Sequence, residues 1–233
     1  MIGDRGVSEV LDTILLIGMI SITISVILLY GIPIINMSKE SIKERNVLSQ
    51  FVYLSEQLSK VSTDVSPVIK NKISFSGGSI RIKGGFVVNM TVTNSTGIVY
   101  RLNEDLGKIE FVSSDYMISI ENGGVFGDLV YSPPRIYKKD GHLSFAIFKL
   151  QGEGSAGGTL SSFANIVMKF NSTQKYEFSN GTLILEVYTD HINAWKQFFE
   201  AIGNVTELNN GVKVEIEFDR LTLNVYTIDV VIS

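Results

Sequence analysis

The stretch at residues 13–38, TILLIGMISITISVILLYGIPIINMS, contains no charged side chain and lies near the amino terminus. At a helical rise of about 1.5 Å per residue, residues 14–35 match a hydrocarbon core of roughly 30 Å. Because this run is longer than the apolar region of an ordinary secretory signal, we expect it to stay attached. Its hydroxyls can bond to carbonyls of the preceding turn, and Gly31 and Pro33 would kink or loosen the helix near its end. The stretch predicts one transmembrane helix.

The rest of the chain has a different composition, in which Asn, Ser, Thr and Gly accompany alternating aliphatic residues. A length of about two hundred residues can bury a substantial core, so one globular domain is expected. The 24 acidic and 20 basic side chains provide no field that would attract nucleic acid. Cysteine is absent, which excludes disulfides, thiolate metal sites and cysteine nucleophiles.

Asn-x-Ser/Thr sequons favour an exported domain. One of them, at Asn36, borders the span, and the candidate N-glycosylation acceptors within the domain are Asn89, Asn94, Asn171, Asn180 and Asn204. Flanking charge favours the opposite orientation, because Arg5 precedes the span whereas Lys39, Lys43 and Arg45 follow it. The short leader leaves little to fold on the other face of the membrane. We therefore predict a single-pass protein of the cell membrane with its carboxyl-terminal domain extracellular.

An amphipathic pattern continues beyond the span. Five apolar residues repeat at spacings of four, three, four and three, which places them on one stripe of a helix: Val47, Phe51, Leu54, Leu58 and Val61. The stripe could form a coiled-coil seam between subunits or pack against the chain's own β domain. Two heptads are short for a coiled coil, so packing within the chain is favoured. Ser66-Pro67 then ends the helical pattern.

From Lys72 onward the apolar period changes to two, which is typical of half-buried strands. The strands are expected at residues 80–82, 88–92, 108–113, 117–120, 142–150, 164–170, 182–188, 212–218 and 221–232. Turn residues separate them at residues 77–78, 84–85, 123–124, 139–141 and 209–211. This many short strands predicts an antiparallel sandwich or a barrel-like sheet.

One helix interrupts the strands. It is expected to open with Thr189 or Asp190 as its cap and to stop at Gly203, with Ile192, Trp195, Phe199 and Ile202 on one face. Trp195, the single tryptophan, could belong to a ligand-binding platform, but its helical spacing favours a core anchor.

The glycine-rich stretch at residues 152–158, GEGSAGG, superficially resembles a phosphate-binding loop. It lacks the Lys-Ser/Thr ending and the context of a parallel strand, so we predict a mobile surface loop.

Residues that carry chemistry are sparse. His142 and His191 are far apart in sequence and have no metal-ligand spacing, and His191 is expected at the surface. Asp219 and Asp229 could pair with other carboxylates, although acidic residues on strands usually form the solvated face. The sequence therefore predicts no enzyme activity, no cofactor and no metal.

At the amino terminus, Asp4-Arg5-Gly6 is followed by Val7-Ser8-Glu9-Val10-Leu11 and then by the apolar helix. This arrangement resembles the amino terminus of archaeal type IV pilin-like proteins. The resemblance implies that a prepilin peptidase cleaves a short class III-type leader after Gly6, so that the mature protein begins at Val7. It also implies that Glu9 pairs with the amino terminus of a neighbouring subunit. A carboxylate in solvent at the membrane edge is the alternative for Glu9.

A weaker resemblance lies in the domain. Residues 188–199, YTDHINAWKQFF, look like part of a group of uncharacterised archaeal membrane-anchored pilin-like proteins. The chain is longer than a typical major pilin, and a bulky domain suits a minor subunit, a tip component or a separate surface protein.

These observations predict an α+β fold with a long N-terminal transmembrane helix and a mainly antiparallel, sandwich-like β ectodomain that carries one short packed helix. The expected regions are the leader (1–6), the transmembrane helix with its extracellular extension (7–66) and the β-rich extracellular domain (67–233).

The predicted function is that of a non-catalytic pilin-like surface subunit, assembled into or associated with a type IV pilus-like filament. The alternatives are a membrane-tethered binding or scaffold protein, at the surface layer or as an archaellum stator-like component, and an anchored extracellular hydrolase of glycans or peptides. Expected partners are the lipid membrane, a prepilin peptidase, and pilin-like subunits or surface-layer proteins, with no nucleic acid.

Overall fold

Helical backbone extends through the apolar segment. The computed structural model describes residues 4–62, 66–159 and 161–233, with side chains except those of residues 4–11, 36 and 161. Helix α1 (Asp4–Val26) is followed by a π-helical turn (Ile27–Gly31) and by helix α2 (Ile32–Ser62). Pro33 has no N–H to donate, and its ring crowds the carbonyl of Leu29, which lies in the π-helical turn. The wider turn relieves this conflict, so the predicted loosening at Gly31 and Pro33 is confirmed.

Two compact units make up the chain, one up to Arg45 and the other from Asn46 on. The second unit therefore includes the last part of α2. Its predicted apolar stripe is at most 1% exposed: Val47, Phe51, Leu54, Leu58 and Val61. These side chains pack with residues of the sheet such as Phe111 and Ile166. The prediction that the stripe packs against the chain's own β domain is confirmed.

The described part of the β domain contains thirteen strands and one short helix, α3 (Ile192–Glu200). The strands are β1 (Val68–Ser76), β2 (Ser79–Lys83), β3 (Val87–Asn94), β4 (Gly97–Asp105), β5 (Lys108–Val112), β6 (Met117–Glu121), β7 (Gly124–Phe126), β8 (Val130–Ser132), β9 (Ile136–Lys139), β10 (His142–Gly157), β11 (Ser161–Tyr188), β12 (Asn204–Leu208) and β13 (Gly211–Ile232).

The strands form one hydrogen-bonded path in the order β4-β3-β11-β13-β10-β2-β5-β6-β7-β8, with β1, β9 and β12 attached beside it. Within the described ranges β10 and β13 pair in parallel, and the other pairs are antiparallel. The end strands β4 and β8 do not pair with each other in this part of the chain, so the sheet is open. The mainly antiparallel fold with one short helix is confirmed, whereas the sandwich arrangement stays a prediction.

Two predicted pairs of strands are each one long strand, so that expectation was wrong. Residues 164–170 and 182–188 belong to β11, and residues 212–218 and 221–232 belong to β13. The polar stretch at residues 171–175 interrupts the apolar alternation, which led to the prediction that one strand ends there. In the structure it stays in the strand, because β11 pairs with β13 on both sides of a register shift between Phe170 and Ser172.

Several strands do not alternate between apolar and polar residues, so a sequence pattern does not predict them. β4 is an edge strand with mostly exposed or half-buried residues, so its apolar pattern is weak.

Most predicted turns are confirmed, because residues 77–78, 84–85, 140–141 and 209–210 all fall between strands. Asn122 and Asp140 have positive φ angles of 46° and 49°, which short polar side chains tolerate in tight turns.

The expectation of a mobile loop at residues 152–158 was wrong. Residues up to Gly157 belong to β10, which pairs with β13 as far as Gly154 and with β2 beyond it. Gly152 and Gly154 have φ angles of 148° and 121°, and a Cβ at either position would overlap a carbonyl oxygen of β13. The glycines therefore permit the close approach of two parallel backbones.

Two hydrophobic cores lie on opposite faces of the shared strands. β10 contributes Phe145 and Ile147 to one core and Phe148 and Leu150 to the other. Neighbouring residues of a strand point to opposite faces, so the step from Ile147 to Phe148 changes the face that is buried. The first core is covered by α3, and the second by the carboxyl-terminal part of α2.

Replacing Gly154 should reveal how much the stability of the domain depends on the close approach of β10 to β13. Gly154→Ala places a methyl group against the carbonyl oxygen of Ile232, whereas Gly97→Ala has a similar φ of 117° and no heavy atom within 4 Å. Both variants carry the strain of a positive φ. In Gly154→Ala alone, overlap of the methyl group with the carbonyl oxygen lowers the free energy of unfolding by about a further 2 kcal/mol. Chemical unfolding followed by Trp195 fluorescence measures the difference, and equal stability of the two variants would contradict the close-approach role.

Candidate functional site

The apolar segment is exposed along its length. Within the described helical stretch Asp12–Ser62, the most apolar window has a mean hydropathy of 2.4 and none of it is buried. Large side chains such as Ile14 and Met19 are 64% and 67% exposed. Thr23 and Ser25 donate to carbonyls four residues earlier, each at 2.8 Å, as expected for hydroxyls in such a helix. The helix is long and apolar enough to cross a membrane.

Residues proposed for processing and assembly are described only by their backbone. Helix α1 begins at Asp4, so the leader positions 1–3 lie outside the described residues. Gly6, Val7 and Glu9 are helical, and the side chains of Val7 and Glu9 also lie outside the described part. The roles of these three residues stay predictions.

The five candidate glycosylation acceptors differ in their surroundings. Asn171, Asn180 and Asn204 are exposed. Asn94 is half-buried at the end of β3, where its Oδ1 accepts hydrogen bonds from the backbone N–H and the hydroxyl of Thr96. Asn89 is half-buried within β3, and its Nδ2 donates to Glu186 at 3.3 Å. A glycan attaches to the amide nitrogen, so Asn89 is the least accessible acceptor of the set.

Charged side chains meet in the interior of the β domain, where Lys108, Glu110 and Glu121 are fully buried. The Nζ of Lys108 lies 2.6 Å from an oxygen of Asp190, 3.2 Å from Glu110 and 3.7 Å from Glu121. Lys108 and Glu110 come from β5, Glu121 ends β6, and Asp190 precedes α3. The cluster therefore connects two strands to the start of the helix.

Glu121 is satisfied by hydrogen bonds from three neighbouring side chains. Thr189 Oγ1 lies 2.8 and 2.7 Å from its two oxygens, Ser119 Oγ donates at 2.9 Å, and the indole Nε1 of Trp195 donates at 2.8 Å. The Trp195 ring stacks on Phe126 with ring centroids 4.5 Å apart. The prediction that Trp195 is a core anchor is confirmed, and its polar end is fixed by a buried carboxylate.

Glu110 faces two further cations on β2. Arg81 donates from Nε and Nη2 at 3.0 and 2.7 Å, and the Nζ of Lys83 lies 3.3 Å away. Burial opposes ionisation of Glu110, but the hydrogen bonds from Arg81 and Lys108 outweigh burial and lower its pKa. The hydrogen bond from Lys108 likewise lowers the pKa of Asp190. Burial opposes the charge of Lys108, but the pKa of Lys108 is raised because Asp190, Glu121 and Glu110 outweigh burial.

These charges balance, because Arg81, Lys83 and Lys108 face Glu110, Glu121 and Asp190. Sequence reasoning did not identify this cluster. The only signal was that Lys108 and Glu110 share one face of a strand whose other face is apolar, which is also the pattern of a solvated face. Only the assembled domain buries both faces of β5.

Two expectations about the helix start were wrong. His191 is the N-cap residue of α3, in place of Thr189 or Asp190, because those two side chains bind Glu121 and Lys108. His191 is also buried, at 6% exposure, and not at the surface. Its Nδ1 lies 3.0 Å from the carbonyl oxygen of Gly127, a contact between distant segments that a local pattern does not reveal.

The other residues singled out for chemistry are not brought together. Asp219 and Asp229 both lie in β13, separated by ten residues, or roughly 33 Å of extended strand. Asp229 accepts hydrogen bonds from Asn171 at 3.1 and 3.3 Å. His142 is exposed, with its Nε2 3.4 Å from the hydroxyl of Thr222.

His142 lines a cavity of about 760 Å³ on the sheet face formed by β9, β10 and β13, at the end of α2. Ala146, Phe148 and Tyr226 contribute apolar surface to it. Charged residues of the cavity are Arg135, Lys139 and Asp140. Aromatic surface beside an excess of cationic groups suits binding of an apolar ligand that carries negative charge.

Comparison with protein-family models gives a match over residues 5–231 to a family described as a family of unknown function (DUF7289). Neither the curated proteins nor the solved structures yield a match. The family match covers the apolar helix together with the β domain.

Removing the charge of Glu110 should destabilise the domain at neutral pH. Glu110→Gln leaves Arg81 and Lys108 without one partner, at a cost of about 3 kcal/mol. In the folded state the pKa of Glu110 lies below its usual value of 4.5. The stabilisation by the Glu110 charge is therefore present above pH 4.5 and is lost as the pH falls through the folded-state pKa. The free energies of unfolding of wild type and Glu110→Gln should therefore converge as the pH falls.

Glu177→Gln is the matched control, because it removes the same charge from an exposed pair with Lys175. Denaturant unfolding from about pH 7 to about pH 3, followed by Trp195 fluorescence, checks the prediction. A difference between wild type and Glu110→Gln that stays constant over this range would contradict it.

Proposed function

The chain belongs to that family of unknown function, and we propose that it is a non-catalytic, single-pass subunit of the cell surface. In this proposal it is assembled into or associated with a type IV pilus-like filament as a minor or accessory subunit. Its sandwich-like β domain faces the outside of the cell.

The exposed apolar segment is the observation that carries the proposal. Two stretches of apolar side chains follow one another in sequence, and the one at residues 47–61 is buried in the β domain. In the stretch at residues 14–35 no residue is buried, and all but two are exposed. Each large apolar side chain removed from water contributes about 2 kcal/mol, so this stretch strongly favours lipid or other apolar helices.

The amino-terminal residues supply the pilin-specific part of the proposal. Asp4-Arg5-Gly6 is the leader end, and cleavage after Gly6 by a prepilin peptidase frees Val7. The apolar helix is then held first by lipid and afterwards by helices of neighbouring subunits. Glu9 pairs with the amino terminus of a neighbour, where an apolar environment strengthens the attraction between opposite charges.

The buried charges support a structural role for the interior of the domain. The cations and carboxylates of the cluster face one another, and Glu121 is occupied by hydrogen bonds from Thr189, Ser119 and Trp195. Such a network stabilises one arrangement of strands and helix. The domain thus acts through assembly or binding in this proposal.

A second candidate is a membrane-tethered binding or scaffold protein that does not polymerise. The observation that favours it is the cavity of about 760 Å³ beside β9 and β10, with Phe148 and Tyr226 among its lining residues. An apolar group of its surface-layer or stator-like partner that carries negative charge would occupy this cavity. Separation of filaments from membranes distinguishes the two candidates.

Processing is tested by intact-mass and amino-terminal analysis of protein from native membranes and from sheared extracellular material. We expect a mature start at Val7 in the sheared fraction, and Gly6→Leu should block cleavage because a bulky side chain does not fit where a small residue is required. Gly3→Leu is the matched control and should be processed normally. A start at Val7 found only in membranes would favour the tethered candidate, and an intact Met1 in wild type would remove the pilin proposal.

Assembly is tested separately at Glu9. Glu9→Gln keeps the size of the side chain and removes its charge, so we expect normal processing and a loss of at least tenfold from the sheared fraction. Asp12→Asn, one turn along the same helix, is the matched control and should assemble as wild type does. Equal filament recovery for both variants would refute the role of Glu9.

A further inference from the structure

Strand β4 (Gly97–Asp105) forms one end of the sheet. It is hydrogen-bonded to β3 along one side, and within the described residues no strand pairs with its other side. No backbone hydrogen bond of the described chain joins this free edge to a turn or a loop. The N–H and C=O groups of the edge can therefore pair with a strand of another chain.

The other edges of the sheet are short or capped. β8, β9 and β12 contain three, four and five residues. β1 has nine residues, like β4, but the side-chain amide of Gln50 caps its edge. Nε2 of Gln50 donates to the carbonyl of Ser74 at 2.8 Å, and Oε1 accepts from the N–H of Ser74 at 2.8 Å. β4 contains no Lys or Pro, which commonly protect edge strands, so it is the long edge that remains available in the described part of the sheet.

The two faces of β4 differ. Tyr100 and Leu102 are half-buried and pack against the first core. Arg101, Asn103 and Asp105 alternate with them and are exposed. Directly opposite residues of an antiparallel pair project from the same face of the sheet. A second β4 strand that keeps its polar face in solvent must therefore pair odd-numbered residues with odd-numbered residues.

Charge selects one of these registers. Arg101 and Asp105 form no ion pair with the described residues. Centring two antiparallel copies on Asn103 places each Arg101 opposite Asp105 of the other copy. Centring them on Arg101 would oppose like charges, and centring them on Leu102 would place Arg101 opposite Asn103. Opposite charges directly across a strand pair stabilise it, and like charges destabilise it, so the exposed face of β4 is self-complementary in the register centred on Asn103.

We propose that two copies of this chain join edge to edge through β4, antiparallel and about a two-fold axis at Asn103. The sheet then continues from one copy into the other. Backbone hydrogen bonds hold the two strands together, and the two contacts between Arg101 and Asp105 fix the register. A strand of unrelated sequence would satisfy the backbone groups without matching these charges. The interface lies in the β domain and adds to the contacts between apolar helices in the proposed filament.

The test uses single cysteines, because the chain has none of its own. Asn103→Cys places two side chains directly opposite each other at the axis, with Cβ atoms about 5 Å apart, within reach of a disulfide after a small adjustment. The purified full chain in phospholipid liposomes is mildly oxidised, and the dimer is identified by non-reducing electrophoresis and mass spectrometry. Lys70→Cys is the matched control, since Lys70 is exposed on β1, the capped edge strand of equal length. We expect a disulfide dimer from Asn103→Cys and about tenfold less from Lys70→Cys.

Charge dependence is tested in the Asn103→Cys background. Arg101→Glu turns both attractive contacts into repulsive ones and should lower the dimer yield about tenfold, whereas Arg101→Lys should retain it. Trp195 fluorescence verifies that each variant is folded. Absence of a dimer, equal yields from Asn103→Cys and Lys70→Cys, no effect of Arg101→Glu, or a higher yield from Leu102→Cys would overturn the proposal. Liposomes of the purified chain contain no assembly machinery, so these outcomes are independent of filament recovery.

Discussion

The pairing register of β11, β13 and β10 is the constraint on which the β domain depends. β11 and β13 pair from Ile166↔Ile232 to Tyr188↔Gly211, and β10 joins β13 in parallel. Because these strands contribute to both cores, a slip of one residue would move apolar side chains from buried to exposed positions on both faces. Gly152 and Gly154 belong to this constraint, since they allow β10 to approach β13.

The buried charge cluster determines where α3 lies on this framework. Taking Lys108, Glu110 and Glu121 out of water is costly, and the cost is offset only when all partners are in place. Asp190 and Thr189 come from the segment before α3, so the cluster orders that segment together with β5 and β6. Trp195 is then oriented by Glu121 and by the stacked ring of Phe126. The same geometry leaves His191 buried against Gly127 at the start of the helix.

The apolar side chains of the two compact units differ in burial. Val47 and Phe51 complete a core of the β domain, whereas the side chains of residues 14–35 remain exposed. For this reason the proposed function assigns lipid or other apolar helices as partners to residues 14–35. It assigns no such partner to residues 47–61. The hydrogen-bonded cluster and the cavity of about 760 Å³ belong to the β domain, whereas the exposed stretch at residues 14–35 belongs to the other compact unit.

Local patterns in the sequence determined the apolar helix, the stripe from Val47 to Val61, the core role of Trp195 and most of the turns. Each depends on spacing or on residue type within a few positions, which is information that a single sequence contains. The single long strand at β11, the strand pairing at Gly152 and Gly154, the cluster around Lys108 and the burial of His191 were decided by tertiary structure. These features arise from contacts between segments far apart in the chain, where pairing and burial outweigh local preference.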